Sequence, residues 1–235
     1  VSSLDRRVLT PELMDSPELD AASIHAALRG LARLNTLSRA AADIWGAIRP
    51  ATRAGESLTL LDIATGSADV PVGVAERARR AGVPIELLLC DQRAEMRDAA
   101  ARRAADAGIA ARTFAFDALA GGIDVSADVV TTSLFTHHLS DTHIVGLLRW
   151  MKSAARRMIV ISDLVRSRRN LALVWLATRA VTRSRIVHAD GPLSVRAALT
   201  PSEFTELAEE AGLRAGSIRT TPFCRFVYTW RADAR

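Results

Sequence analysis

The stretch Leu60-Leu61-Asp62-Ile63-Ala64-Thr65-Gly66-Ser67-Ala68-Asp69-Val70 constrains this chain more than any other. An apolar run ends in an acid, small residues follow, and a helical pattern extends from Val70 to Ala81. These features predict a strand, a tight turn and a helix N-terminus, the arrangement that lets backbone approach a nucleotide-like ligand. Small residues after a strand also occur in turns with a purely structural role, so the spacing of later elements decides between the two.

That spacing favours a ligand site. A second apolar run, Ile85 to Cys90, ends in Asp91-Gln92, with Asp91 29 positions beyond Asp62. An acid at this remove, closing the next strand, fits an acceptor for ribose hydroxyls. A third run, Thr113 to Phe116, leads to Asp117-Ala118. A fourth, Ala127 to Phe135, contains Ser133 and runs into Thr136-His137-His138-Leu139. A fifth, Met158 to Ile161, ends at Ser162-Asp163. One Asp at a strand end is a turn or a helix cap, but several at regular spacing are hard to obtain that way. The alternation of strand and helix over 51–163 argues a parallel sheet covered on both faces.

The Asp62-to-Asp69 run resembles the first motif of class I S-adenosylmethionine (SAM)-dependent methyltransferases, Asp/Glu-x-Gly-x-Gly-x-Gly. Here only the middle glycine, Gly66, is kept, and Ala64 and Ala68 take the outer places. Alanine at the first of these is similar to the ubiquinone/menaquinone-type members. The resemblance implies an α/β fold with a Rossmann-like, mostly parallel sheet, an antiparallel last strand and helices on both faces. It implies SAM as cofactor, held by Asp62, Ala64, Thr65, Gly66, Ser67, Asp69, Asp91, Gln92, Asp117, Ala118 and Ser133. In that family an acid at the place of Asp117 meets the adenine amino group.

Residues 1–19 read as irregular, with Pro11 and Pro17 as breakers. From Asp20 to Ile48, apolar residues recur every three or four positions, predicting one amphipathic helix, or two if the chain breaks at Gly30, with a stop at Pro50. The division that follows is an N-terminal helical cap over 1–50 and a SAM-binding core over 51–235. Residues 164–200 break the strand–helix rhythm: a helix is expected over Leu171 to Thr182, then an Arg-rich link and a loop from His188 to Leu193. In the family this segment carries the acceptor-binding insertion. Thr200-Pro201-Ser202-Glu203 is a helix start, with an N-cap Thr, Pro at the first position and Glu at the third. Ser217 to Thr220 and Phe223 to Trp230 are expected to complete the sheet.

At 235 residues the chain has room for one domain with a large core. No apolar run reaches the roughly 18 residues of a membrane span, and the N-terminus lacks the apolar core of a secretory signal. Cys90 and Cys224 have no metal-ligand spacing, and a buried reduced thiol is the reading for Cys90, which fits a reducing cytoplasm. The net charge of +5 comes almost wholly from Arg, with Lys152 the only lysine. No aromatic-interleaved basic stretch appears, so a nucleic-acid partner is not expected. Monomer and homodimer both stay open.

SAM carries its methyl on a sulfonium, so the electrophile arrives activated and the protein must align and deprotonate the nucleophile. A phenol near pKa 10 is best helped by a histidine base. Phe135-Thr136-His137-His138-Leu139-Ser140-Asp141 resembles the post-strand segment of many small-molecule methyltransferases. Neighbours in extended chain point opposite ways, so one of the pair is expected to face the acceptor; both His138 and His137 are catalytic candidates, with His138 favoured as base. The alternative is that His137 packs against the cofactor and His138 only shapes the pocket. Asn35 and Trp45 on the N-terminal helices, and His188 and Arg196 in the insertion, are candidate acceptor contacts. No acid/His cluster marks a divalent-metal site, and none is expected. The whole-chain pattern, including Asp190-Gly191-Pro192-Leu193-Ser194-Val195-Arg196, is also similar to small methyltransferases found beside bacterial type III polyketide synthases. That resemblance implies a phenolic or polyketide-derived small-molecule acceptor and O-methylation. C-methylation of a quinol or aromatic ring, or a non-catalytic SAM-binding scaffold, are the alternatives.

Overall fold

Seven strands form one sheet in the order β3-β2-β1-β4-β5-β7-β6. The computed structural model describes residues 4–16, 18–117 and 124–232. Strand β1 (Leu58–Ile63) lies in parallel between β2 (Ile85–Asp91) and β4 (Ala127–Ser133). Outside them lie β3 (Ala111–Ala115) and β5 (Ala155–Leu164), also parallel. The last two strands, β6 (Ser217–Thr220) and β7 (Arg225–Arg231), are antiparallel, with β7 hydrogen-bonded along β5. This is the mostly parallel, Rossmann-like sheet with an antiparallel last strand that the sequence led us to expect. The strand order reverses between β1 and β4, which opens a crevice at their C-terminal ends.

Alternation along each strand divides the core in two. Leu61, Ile63, Val130, Ile159 and Ile161 point to one face, beneath α5 (Asp141–Ala154) and α8 (Pro201–Glu210). Leu60, Leu87, Leu89, Val129 and Val160 point to the other, beneath α2 (Ala40–Ile48), α3 (Asp69–Arg80) and α4 (Ala94–Asp106). Helix α8 begins with the expected reciprocal cap: Thr200 Oγ1 accepts from the Glu203 N–H, and the Glu203 carboxylate accepts from the Thr200 N–H.

Close helix packing decides one open point and corrects one expectation. Helix α1 (Ala21–Leu37) runs unbroken through Gly30, where a Cβ would stand 2.7 Å from Thr182 Oγ1. That glycine serves approach, and the chain turns instead at Arg39, whose φ is +59°. The loop expected at His188 to Leu193 lies inside α7 (Arg185–Ala197), which contains both Gly191 and Pro192. A Cβ at Gly191 would come within 2.9 Å of Val174 and Thr178 on α6 (Arg168–Val181). Packing of α7 on α6 therefore outweighs the helix-breaking tendency of the Gly-Pro pair.

Residues 4–16 form an irregular strap bound to α7 and to the edge of the sheet that carries the crevice. Val8 donates its N–H to Arg196 O, and the Leu13 and Met14 N–H groups both donate to Asp190, at 2.8 and 3.0 Å. Arg7 donates to Ala197 O and Leu139 O, and Arg166 to Leu4 O. Pro17, expected as a breaker here, lies outside the described residues. Among the described residues no helix is long and apolar enough to cross a membrane.

Candidate active site

The loop after β1 repeats one backbone shape three times. Ala64, Gly66 and Ala68 have φ of +53°, +53° and +56°. The left-handed region is easy for glycine and costs other residues about 1–2 kcal/mol, so the two alanines hold a glycine conformation under strain. The loop is tied to β2, since Thr65 N–H donates to Cys90 O and Gly66 N–H to Asp91 Oδ2, each at 2.9 Å. Asp91 Oδ1 takes the Arg93 N–H. Burial raises the Asp91 carboxyl above its usual range against the pull of these N–H groups. Asp62, buried at the end of β1, is pushed up to about 7, by burial first and by the charges of Asp69 and Asp91 besides. The Thr131 hydroxyl, donating to it at 2.6 Å, opposes that shift.

Above this loop lies a cavity of about 910 Å³ that spans the crevice. Asp62, Ala64, Thr65, Gly66, Ser67, Asp69, Asp91, Gln92, Asp117 and Ser133 all line it, so the structure gathers the expected cofactor residues around one space. Ala118 lies outside the described residues. Gln92 Nε2 donates to Asp117 Oδ2 at 3.3 Å. Among the described residues Ser133 Oγ and Arg225 Nη1 are buried without a hydrogen-bond partner, and both residues face this cavity. A cradle of small residues, an acid at the end of β2 and orphaned polar atoms fit a ligand with a ribose and a charged amino-acid end.

The other wall carries the histidines. Thr136–His138 is a 3-10 turn rather than extended chain, so His137 and His138 fall on the same side, with ring centroids 4.4 Å apart. Both line the cavity. His137 Nδ1 faces Asp163 Oδ1 at 2.7 Å, and both side chains are almost fully buried. Asp163 also accepts from Thr136 Oγ1 at 2.6 Å and from the backbone N–H of Leu164 at 2.7 Å. Against the cost of burial, the His137 ring, its hydrogen bond and that of Thr136 hold the Asp163 carboxyl well below the usual range. Burial alone would lower His137, yet Asp163, with help from Glu12, raises it above its ordinary value. His138 goes the other way, lowered by burial and by its neighbour His137.

Glu12 arrives from the strap, and no local pattern announced it. Its Oε1 stands 3.7 Å from His137 Nε2 and its Oε2 3.9 Å from His138 Nε2, and it accepts a hydrogen bond from Ser194 Oγ on α7. Asn35 reaches the cavity, donating to Asp69 Oδ2 at 2.9 Å and accepting from Arg225 Nη2 at 2.6 Å. Arg225, at the start of β7, was also missed, since one more Arg in an Arg-rich chain carries no signal. Asp163 was visible as the acid ending the fifth apolar run, but its pairing with His137 was not. The other three candidate acceptor contacts lie away from the cavity. Trp45 is core, packed with Ile44 and Ile48. His188 Nε2 faces the Thr182 carbonyl at 2.8 Å. Arg196 is a backbone anchor for the strap through its carbonyl.

Sheet order, βα loop and crevice are similar in fold to those of solved SAM-dependent methyltransferases. Comparison with solved structures bears the fold out. The methyltransferase SibL, solved in its apo form and described as SAM-dependent, superposes with a TM-score of 0.66 at 19% identity, covering 96% of this chain and 63% of its own. An O-methyltransferase family 2 protein from Planctomyces limnophilus in complex with apigenin gives 0.62 at 17% identity, covering 92% and 63%. The plantazolicin methyltransferase BpumL, in complex with the demethylated cofactor S-adenosylhomocysteine (SAH), gives 0.67 at 16%, covering 93% and 92%. The chain thus spans less than two thirds of the first two. No protein-family model matches the sequence, and no curated protein does.

Proposed function

We propose that this protein is a SAM-dependent methyltransferase acting on the oxygen of a small phenolic or enolic acceptor, with His137 as general base. The observation that carries the reading is the buried Asp163–His137 pair on the wall of a cavity whose opposite wall is the Asp62–Asp69 loop. SAM, when bound, supplies a methyl group already activated by the sulfonium. Asp91 is placed to accept from ribose hydroxyls, and Arg225 Nη1 to donate to the carboxylate of the cofactor's amino-acid end. Asp163 fixes the His137 tautomer with the proton on Nδ1, so Nε2 presents its lone pair to the cavity. There it takes the proton from the acceptor hydroxyl, and the nearby carboxylates stabilise the imidazolium that forms. Asp163 is a positioning residue in this scheme, because it acts through His137.

Several features support a small, partly apolar acceptor. Leu37, Leu173, Leu176 and Phe223 are exposed and also line the cavity, giving it an apolar mouth. The O-methyltransferase family 2 protein from Planctomyces limnophilus was crystallised with apigenin. His138, which the sequence alone favoured as base, has its basicity lowered by burial and by its neighbour His137. The test is SAH release by the full chain with SAM and a panel of phenols, quinols and alkylpyrones, beside calorimetric titration with SAH. Tight SAH binding with turnover on a phenol supports the proposal. SAH binding without turnover on any panel member leaves the scaffold reading instead.

A further inference from the structure

Three Lewis-basic side chains converge on one point at the cavity wall. The ligating atoms of Glu12, His137 and His138 all lie within 4.8 Å of one another. We infer that these three residues bind a divalent transition-metal ion of the zinc type, using the same His137 Nε2 that the proposed reaction uses as a base. The inference rests on that reading for its consequence, but the site stands on its own geometry.

Consider first the electron pairs. With Asp163 a carboxylate 2.7 Å from Nδ1, neutral His137 keeps its proton there, and Nε2 aims a lone pair at Glu12 Oε1, 3.7 Å away. Glu12 Oε2 faces His138 Nε2 at 3.9 Å. A metal ion among these atoms would take an electron pair from each of the three side chains. Donors around a tetrahedral zinc with bonds near 2.0–2.1 Å stand roughly 3.3 Å apart, so closing the site from separations within 4.8 Å takes side-chain shifts of about 1.5 Å at most.

The surroundings match a metal centre in a second way. A metal-bound histidine characteristically donates its other ring N–H to a carboxylate, which fixes the tautomer and strengthens the ligand. Asp163 does this for His137, and is itself held by Thr136 Oγ1 and two backbone N–H groups. Two imidazoles and one carboxylate suit zinc and its transition-metal neighbours better than magnesium or calcium, which prefer all-oxygen sets. Three protein ligands leave a fourth position toward the cavity.

One lone pair cannot serve both a metal ion and a proton. Loading with zinc is therefore expected to block deprotonation of the acceptor, and removing it to restore turnover. Calorimetric titration of ZnCl2 into EDTA-treated, dialysed full chain tests the site without reference to activity, with MgCl2 as the control metal and SAH binding as the check on the cofactor site. The expected result is one zinc per chain, no comparable magnesium binding, and affinity at least tenfold weaker in Glu12→Gln and in His138→Ala. Asp163→Asn should weaken it roughly 10–100-fold through the His137 orientation. Absence of a one-to-one zinc isotherm in folded wild type that binds SAH overturns the proposal, as does unchanged affinity in both Glu12→Gln and His138→Ala. Failure of SAH binding instead counts against the cofactor reading alone. Turnover that rises on adding zinc overturns the blocking role.

Discussion

The cofactor wall and the acceptor wall of this cavity are built in opposite ways. The cofactor wall is local: the bond that locks its loop, from Gly66 to Asp91, spans 25 positions. The acceptor wall adds partners from distant parts of the chain to the His137–Asp163 pair, which itself spans 26 positions. Ser194 meets Glu12 across 182 positions, and Asp190 meets Leu13 across 177. A nucleotide-like cofactor is the same for every enzyme of this fold, so one compact βα unit suffices for it. An acceptor differs from enzyme to enzyme, and variation falls on segments laid over a constant sheet. The difference predicts that damage to each wall shows up in a different measurement.

The largest effect is expected at the joint between them. Asp163→Ala removes one partner of a buried pair and orphans the donors around it, costing about 3–5 kcal/mol of folding stability by denaturant titration. The cofactor wall has its own signature with pH. Asp62 holds its proton to about 7 in the folded protein but loses it near 3.8 when unfolded. Its folded value is raised, so stability is greatest below 3.8, falls between there and 7, and is level above. Asp62→Asn should flatten that part of the melting-temperature profile of the ligand-free protein, and an unchanged slope would assign it to another group.

Smaller losses separate the walls more finely. Asp91→Ala should weaken SAH binding by about 1–3 kcal/mol, read by calorimetry, while the acceptor KM stays close to that of wild type. Asp190→Ala should do the reverse. It strips the Leu13 and Met14 N–H groups of their acceptor and loosens the strap, raising the acceptor KM more than the SAH dissociation constant. Equal effects of both variants on SAH would erase the distinction drawn between the walls. The smallest change is expected at Ala64→Gly. Relief of the left-handed strain, offset by the greater freedom of glycine when unfolded, leaves a gain of no more than about 1 kcal/mol.

Legibility in the sequence followed the same division. The strands ending at Ile63 and Asp91, the helix start at Thr200 and the strained loop were readable because each depends on residues close together. Even the alanines at 64 and 68 kept the glycine shape that the motif implies. Gly30 left the number of helices open and Gly191-Pro192 misled, because breakers in the sequence became contact points once α1 and α7 had a helix to lie against. Trp45 has the periodicity of a core residue, and core is where it packs. The choice of His138 rested on extended geometry, which the 3-10 turn at Thr136–His138 removes. Glu12 and Arg225 gave no signal, since their partners are set only by the folded chain.

The central claim is that the two walls meet in chemistry at His137. Its most direct test is the turnover number of His137→Gln at saturating SAM, on whichever phenolic acceptor the wild type methylates. The glutamine amide can still donate to Asp163, so the fold keeps its buried hydrogen bond while the base is gone. The account predicts a fall of roughly 10²–10⁴-fold with SAH affinity close to that of wild type. A rate near wild type between pH 6 and 9 would contradict it, and leave alignment of the two substrates as the whole of the catalysis.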